Sequence, residues 1–483
     1  MAASSGACGR RGRRAGRLLD SHAPEITVEL IVRHDRPGPR YTSYPTANEF
    51  TPDFGPDQYL ERLAEADTRT HEPLSLYVHL PFCRARCSFC ACNVVIARRH
   101  DVVRKYLDYL PRELEIVATR LPHRRRVIQY HWGGGTPTHL SVAEIRELHA
   151  AVERHFAIDR AGEVAIEVDP RVTTHRHIDA LRELGFNRLS MGVQDFDPVV
   201  QDLINRNQTE AQTRDLFAYC RRAGLGSINI DLVYGLPRQT AESFARTIRS
   251  VIELRPERIA CYSYAFVPWI KPHQKAITRE MLPAPEQKIE LFLIARRLFL
   301  EAGYDAIGMD HFAVPEDELA HAAARGVLHR NFMGYTTKPA GDMIAFGITG
   351  IGDIGGAYAQ NTKKLSTYYE SLDAGRPPIE RGYLLSDDDR VRRHVITTLM
   401  CNMQVLAADV ERRFGVEFAR YFAPELDALA APEGPVAQGF VRIEDDGLLV
   451  TPLGRLFIRN IAMQFDAYLR RKPAEKPVFS RTV

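Results

Sequence analysis

The stretch "LSLYVHLPFCRARCSFCACNVV", residues 74–95, decides how the chain is read. Its first seven residues put leucine and valine at alternate positions, the period of a strand with one buried face. Immediately afterwards Cys83, Cys87, Cys90 and Cys92 crowd four of the chain's eight cysteines into ten positions, spaced x3, x2 and x1. A strand that runs straight into a cluster of thiols puts metal or redox chemistry at that strand's C-terminal end.

Outward from there the same unit recurs. β-rich runs read "VIQYHWG" (127–133), "EVAIEVD" (163–169), "RLSMGVQ" (188–194), "SINIDLVYG" (227–235) and "RIACYSYAF" (258–266). Amphipathic segments of helical length separate them, including "VVRKYLDYLPRELEIVATRL", where Pro111 predicts a kink or break. Six strands alternating with helices predict an α/β fold with parallel pairing, either a barrel or a doubly wound sheet. Both put ligand sites at the strands' C-terminal ends. Past residue 305 the alternation fades: "DDDRVRRHVITTLMCNMQVLAADVERRFGVEFARYF" reads as helices. "GFVRIEDDGLLVTPLGRLFIRNIAMQFDAYL" then reads as a hairpin followed by a helix. Winged-helix DNA binders share that pattern, but no basic recognition stripe accompanies it here, so a packing role is expected.

Composition is that of a globular protein: 45% hydrophobic and 26% charged residues, with a formal net charge of +3 over 483 residues. That charge is too small to imply nucleic acid. No run approaches a membrane span, and the start lacks a secretory apolar region. "MAASSGACGRRGRRAGR" carries five arginines and no acid before Asp20 and reads as a disordered tail, a transit peptide being the rival. Cys8, Cys220, Cys261 and Cys401 are scattered singly, which suits a reducing cytoplasm rather than a disulfide framework.

Zinc, a redox pair and an iron–sulfur cluster compete for the crowded thiols. Zinc wants two spaced pairs, and Cys90 and Cys92, one residue apart, chelate it poorly. His79 and His100 stand alone and are expected to be hydrogen-bonded rather than ligating. A thioredoxin-like pair would explain only Cys87 and Cys90. A cubane cluster explains more, because a C-x3-C-x2-C triad can hold three irons and leave the fourth open. The Gly-rich "GGGTP" (133–137) follows the second strand; alone it reads as a tight turn, though bare backbone N–H groups there can also approach a ligand.

This triad after the first strand of a βα array resembles the radical S-adenosylmethionine (SAM) superfamily. Further motifs narrow the resemblance: "PRYTSYPTA" (39–47), "YVHLPFC" (77–83), "CSFCACN" (87–93), "HWGGGTPT" (131–138) and "IEVDP" (166–170). "NRLSMGVQDF" (187–196), "NIDLVYGLP" (229–237), "IGMDHFA" (307–313), "HRNFMGYTT" (329–337) and "YAQN" (358–361) complete the series. Together they resemble the oxygen-independent coproporphyrinogen III oxidase family, from about residue 37 to the closing "FSRTV". The resemblance implies a partial (β/α)6 TIM-like barrel with a mainly α-helical C-terminal domain. The expected divisions are a disordered tail (1–36), a segment covering the active site (37–67), the radical SAM core (68–305) and the C-terminal domain (306–483).

The resemblance also implies chemistry. The family decarboxylates two propionates of coproporphyrinogen III to vinyls, giving protoporphyrinogen IX for haem synthesis. A propionate β-carbon has no acidic hydrogen, so hydrogen abstraction by a 5′-deoxyadenosyl radical must start the reaction. One 4Fe-4S cluster, held by Cys83, Cys87 and Cys90, and two SAM molecules are implied. The first SAM would meet Tyr77, Gly134, Glu167, Ala265 and Ile351. The second would meet Phe89, Gly135, Thr136, Gln194, Arg206 and Asp231. Cys92 is not expected to ligate; its presence favours the oxidase over a haem chaperone, and another radical SAM enzyme acting on haem is the remaining rival. A flavodoxin or ferredoxin as electron donor, a monomeric state, a cytoplasmic location and no nucleic-acid or membrane partner are further expectations. In "PRYTSYPTA", Arg40 is expected near a propionate and Tyr41 and Tyr44 over a pyrrole, against the rival of a segment simply packed beneath the barrel. "GITGIGDIGG" (347–356) superficially fits a dinucleotide fingerprint through Gly350, Gly352 and Gly355, but lies outside any βαβ unit and is not read as one.

Overall fold

A computed structural model describes residues 27–471, 479 and 481–482. The arginine-rich start, residues 1–26, lies outside the described residues. All six expected strands form: β1 (Leu74–Leu80), β2 (Arg126–Gly134), β3 (Ala157–Val168), β4 (Arg188–Gln194), β5 (Ser227–Tyr234) and β6 (Arg258–Ser263). Each pairs in parallel with the next. The intervening helices are α1 (His100–Ala118), α2 (Val142–Glu153), α3 (His175–Glu183), α4 (Glu210–Arg222) and α5 (Ala241–Leu254), and α6 (Pro285–Glu301) follows β6.

The period-2 pattern of β1 explains the layering. Leu74, Leu76, Val78 and Leu80 join Leu107, Leu110, Leu114 and Ile145 of the helices in the main core. The alternate residues face the other way and are polar. Ser75 Oγ donates to Gln129 Oε1 at 2.8 Å, Gln129 Nε2 donates to Glu163 Oε1 at 3.0 Å, and Tyr77 stacks on His131. The inner face is therefore built for polar ligands. Pro111 does not break α1, which runs unbroken from His100 to Ala118. Burial of Leu107, Leu110 and Leu114 along its apolar face offsets the ~3 kcal/mol that a mid-helix proline costs.

The sheet extends beyond these six strands. β7 (Asp305–Ile307) and β8 (His311–Ala313) continue the edge beside β6, β8 lying antiparallel to it. On the opposite edge β9 (Asp342–Phe346) runs parallel to β1, followed by antiparallel β10 (Ile351–Ile354), β11 (Ala357–Asn361) and β12 (Ile379–Leu384). The order is β12-β11-β10-β9-β1-β2-β3-β4-β5-β6-β8-β7, open at both ends, so no hydrogen-bonded closure forms among the described residues. Gly355 and Gly356, both at positive φ, turn β10 into β11. Gly355 and Gly356 of "GITGIGDIGG" thus serve a two-residue hairpin, and Gly352 lies within a strand, so the stretch is not a phosphate loop.

A second core lies after the sheet. α7 (Asp387–Asn402) packs Val391, Val395, Leu399 and Met400 against Phe418, Phe422, Phe457 and Ile461. The expected hairpin, Val441–Glu444 with Gly447–Val450, buries Val441, Leu448 and Val450 in this core. Two expectations fail here. Residues 28–34, expected in a disordered tail, form a helix capped by Thr27, with Ile31 buried in the second core. Tyr41 and Tyr44 do not cover a pyrrole: both are buried in that core, where apolar neighbours and C-terminal partners hold them. Tyr41 OH donates to Asp466 Oδ2 at 2.9 Å, and Ala467 N–H donates to Tyr44 OH at 3.1 Å.

Candidate active site

The cysteine loop is pinched shut at its base, where Phe82–Cys83 pairs in parallel with Val95–Ile96. Backbone groups pin its crown. Ser88 N–H donates to Ile204 O at 2.8 Å, Asn205 Nδ2 to Arg86 O at 2.9 Å and Gln274 Nε2 to Phe89 O at 3.0 Å, while His273 Nε2 lies 2.7 Å from Cys90 O. Cys87 is buried, Cys83 and Cys90 are half-buried and Cys92 is exposed. Burial pushes the Cys83 thiol up to about 11, whereas a hydrogen bond with the Cys92 thiol holds Cys90 below the usual thiol range.

"GGGTP" ends β2 against this loop. A Cβ on Gly134 would lie 2.5 Å from the His79 ring, and one on Gly135 2.6 Å from the Pro81 backbone. Only glycine lets β2 approach β1 so closely. The N–H groups are not bare, however. Gly135 and Thr136 donate to Leu80 O and Phe82 O, and Gly134 donates to Glu167 Oε2 at 3.0 Å. The glycines shape the wall and hold a carboxylate instead of offering free donors.

Glu167, near the end of β3, is countered by His131 Nε2 at 3.7 Å as well as by Gly134. Burial would raise its pKa, but His131 and the Gly134 N–H outweigh it and keep the carboxyl below the usual range. Asp231 of β5 accepts from Ser190 Oγ at 2.9 Å and Asn229 Nδ2 at 2.8 Å. Burial, with the neighbouring Glu167 charge, still pushes it up to about 6. Two carboxylates in one enclosed space ask for a cation between them.

Beside them Asp169 sits between two arginines, with Arg171 Nη2 at 2.6 Å and Arg206 Nη1 at 3.3 Å. The same guanidiniums point at sulfur: Arg171 Nη2 lies 3.6 Å and Arg206 Nη1 3.8 Å from Cys87 Sγ. Arg206 is fixed further by donating to Gly192 O at 2.7 Å. Thr136 Oγ1 lies 3.5 Å from Cys83 Sγ. Donors aimed at cysteine sulfur are what a thiolate-bound cluster needs around it.

Eleven of the fourteen expected site residues line one cavity of about 210 Å³: Cys83, Cys87, Phe89, Cys90, Gly134, Gly135, Thr136, Glu167, Gln194, Arg206 and Asp231. Three lie off that lining. Tyr77 sits behind, its hydroxyl 3.1 Å from His79 Nδ1 and its ring on His131. Ala265 is tied to the loop through Gln274, whose Nε2 donates to both Ala265 O and Phe89 O. Ile351 packs against the Phe50, Tyr358 and Leu385 cluster. Asp169, Arg171, Ser190 and Gly192 line the cavity as well and were not foreseen. Asp169 and Arg171 lie two and four residues after Glu167 in "IEVDPR", and a charged pair just past a strand end was the available signal.

The donor set fits a cluster better than a single ion. Among the described residues no three His, Cys, Asp or Glu side chains converge on one ion-sized point. A cubane instead takes each thiolate on a different iron. His79 faces Asn93 O at 3.2 Å and His100 pairs with Glu144 at 3.0 Å, so neither is available as a zinc ligand. Cys220, Cys261 and Cys401 are buried singly, and burial raises all three thiols.

Comparison with known proteins agrees with this geometry. Residues 77–251 match the Radical SAM superfamily model, and residues 385–457 match the HemN C-terminal domain. Oxygen-independent coproporphyrinogen III oxidase from Escherichia coli is 46% identical over 457 residues, covering 94% of this chain and 98% of the relative. The enzyme of the same name from Synechocystis is 42% identical, covering 95% and 98%. The solved structure of coproporphyrinogen III oxidase (HemN) from Escherichia coli, a radical SAM enzyme, matches with a TM-score of 0.86 at 44% identity, over 92% of this chain and 99% of that one. With a thiol-lined cavity at the ends of parallel strands and relatives matched along nearly their whole length, the chain belongs to the oxygen-independent coproporphyrinogen III oxidases of the radical SAM superfamily.

Proposed function

We propose that the protein converts coproporphyrinogen III to protoporphyrinogen IX without oxygen, turning two propionates into vinyls for haem synthesis. The observation that carries this reading is the convergence of Cys83, Cys87, Cys90, Glu167, Arg206 and Asp231 on one cavity. The family's 4Fe-4S cluster and SAM supply, when bound, a 5′-deoxyadenosyl radical that takes a hydrogen atom from a propionate β-carbon. What remains for the protein is to hold, orient and shield.

Cys83, Cys87 and Cys90 would hold the cluster. Glu167, ionised at neutral pH, accepts from the amino group of the first SAM, with Tyr77, Gly134, Ala265 and Ile351 completing its site. Asp231 and Arg206 bind groups of the second SAM, the arginine suited to a carboxylate, with Phe89, Gly135, Thr136 and Gln194 around them. The mutual repulsion of Glu167 and Asp231 supports this assignment, since positively charged SAM relieves it.

The segment 37–67 straps the second core to the mouth of the sheet. Its Arg40 pairs with Asp310 Oδ2 at 3.1 Å. His311, next to Asp310, pairs in register with Ala260, which pairs with Asp231. We read 68–305 as the catalytic core and 306–483 as the part that completes the sheet and packs the strap. The chain acts as a cytoplasmic monomer and takes electrons from a flavodoxin or ferredoxin. Among the described residues no helix is long and apolar enough to cross a membrane.

The test is anaerobic reconstitution with iron and sulfide, followed by reductant, SAM and coproporphyrinogen III. The expected products are 5′-deoxyadenosine and a tetrapyrrole that oxidises to fluorescent protoporphyrin. A methylated product with S-adenosylhomocysteine, or tight haem binding without turnover, overturns the reading.

A further inference from the structure

The cysteine loop meets the surface beside one segment, residues 267–276. Trp269 and Ile270 there are 55% and 52% exposed, although neither lines the cofactor cavity. Adjacent large apolar side chains in water mark a contact surface more often than chance. The segment is bonded directly to the loop: His273 Nε2 lies 2.7 Å from Cys90 O, and Lys271 Nζ donates to Cys92 O at 3.4 Å.

The two chain segments that meet here carry charge of one sign. Neither residues 73–100 nor residues 258–279 contain a single aspartate or glutamate. Arg84, Arg86 and Lys275 are exposed and Lys271 is half-buried, with Arg86 Nη1 3.5 Å from His273 Nδ1. An apolar centre ringed by cations is the anatomy of an interface for an acidic protein.

We propose that Trp269 and Ile270, with Arg86, Lys271 and Lys275 beside them, form the docking face for a small acidic one-electron carrier protein. This rests on the reading that Cys83, Cys87 and Cys90 hold a cluster. Each SAM cleavage consumes one electron, and the reduced carrier supplies it and leaves one-electron oxidised, with no atom transferred. The His273 contact to Cys90 O gives this face a directly bonded path to a cluster ligand. The arginine-rich start of the chain is a poor rival occupant, because its charge has the same sign as the patch.

The test uses the reconstituted full chain, an acidic flavodoxin as carrier, and the variants Trp269→Ala and Lys275→Glu. Both side chains are exposed, so neither change touches the core. The dissociation constant for flavodoxin, measured by titration calorimetry at low salt, should rise about tenfold or more in each variant. Raising the salt should weaken binding by the parent and narrow the gap to Lys275→Glu. Flavodoxin-driven SAM cleavage should fall in parallel, while dithionite-driven cleavage stays at the parent rate. Unchanged flavodoxin affinity, or equal loss with both reductants, overturns the proposal. So does loss of self-association in Trp269→Ala with flavodoxin affinity intact, which would assign the face to a second copy. Failure of the parent to cleave SAM with dithionite would overturn the functional reading itself, a separate outcome.

Discussion

Asp231→Asn separates what this carboxylate does for ligand binding from what it does to stability. Its carboxyl is pushed up from 3.8 to about 6, chiefly by burial and then by Glu167. Two pKa units at 1.36 kcal/mol each make the ionised group destabilising by about 3 kcal/mol. Because the folded-state value is the raised one, the penalty is absent below the unfolded-state value near ~3.9 and complete above about 7. At pH 5 roughly half of it is gone. The amide removes the charge but weakens the bonds from Ser190 and Asn229, a loss of about 1–2 kcal/mol. The net expectation is a gain of about 1–2 kcal/mol at pH 8, or on the order of 1–2 °C for a chain this long. Thermal and urea unfolding of the cofactor-free variant and parent at pH 8, 5 and 4 read it directly. The advantage should shrink toward pH 4, while equilibrium dialysis of the reconstituted variant should show one SAM bound per chain in place of two. A variant less stable than the parent at pH 8, or a difference that ignores pH, would refute the electrostatic argument.

Other outcomes follow from the same geometry. Cys83→Ser, Cys87→Ser and Cys90→Ser should each lose most reconstituted iron and sulfide, whereas Cys92→Ser should retain them, as measured by metal and sulfide assay. Arg171→Gln removes a cation 3.6 Å from Cys87 Sγ, so the cluster's reduction potential should become more negative in a spectroscopic redox titration. Tyr41→Phe leaves Asp466 without its 2.9 Å donor and should destabilise the second core by about 1–2 kcal/mol in urea unfolding.

The six parallel strands were legible because each pairs an apolar face with the helices, and that alternation is local. The outer strands were not. Asp342–Phe346 and Ile351–Ile354 lie in a glycine-rich run whose pairing with β1 and with its own hairpin is set by residues far away in sequence. Cys83, Cys87 and Cys90 stood out by spacing, and most of the other residues lining the cavity by motif. Sequence could not tell that the Gly134 N–H is taken by Glu167, because that bond spans two strands. Nor could it show that Tyr41 and Tyr44 face the C-terminal core, since their partners Asp466 and Ala467 lie more than four hundred residues away. Asp169 and Arg171 were visible as residue types, but their aim at Cys87 Sγ is a fact of three dimensions.

The account turns on three protein thiolates leaving one iron free for SAM. Electron–nuclear double resonance of the reduced, reconstituted protein with SAM labelled with ¹⁵N at its amino group tests this most directly. Hyperfine coupling from the label to the cluster is the predicted result. A cluster spectrum indifferent to SAM, with no coupling from the label, would contradict it.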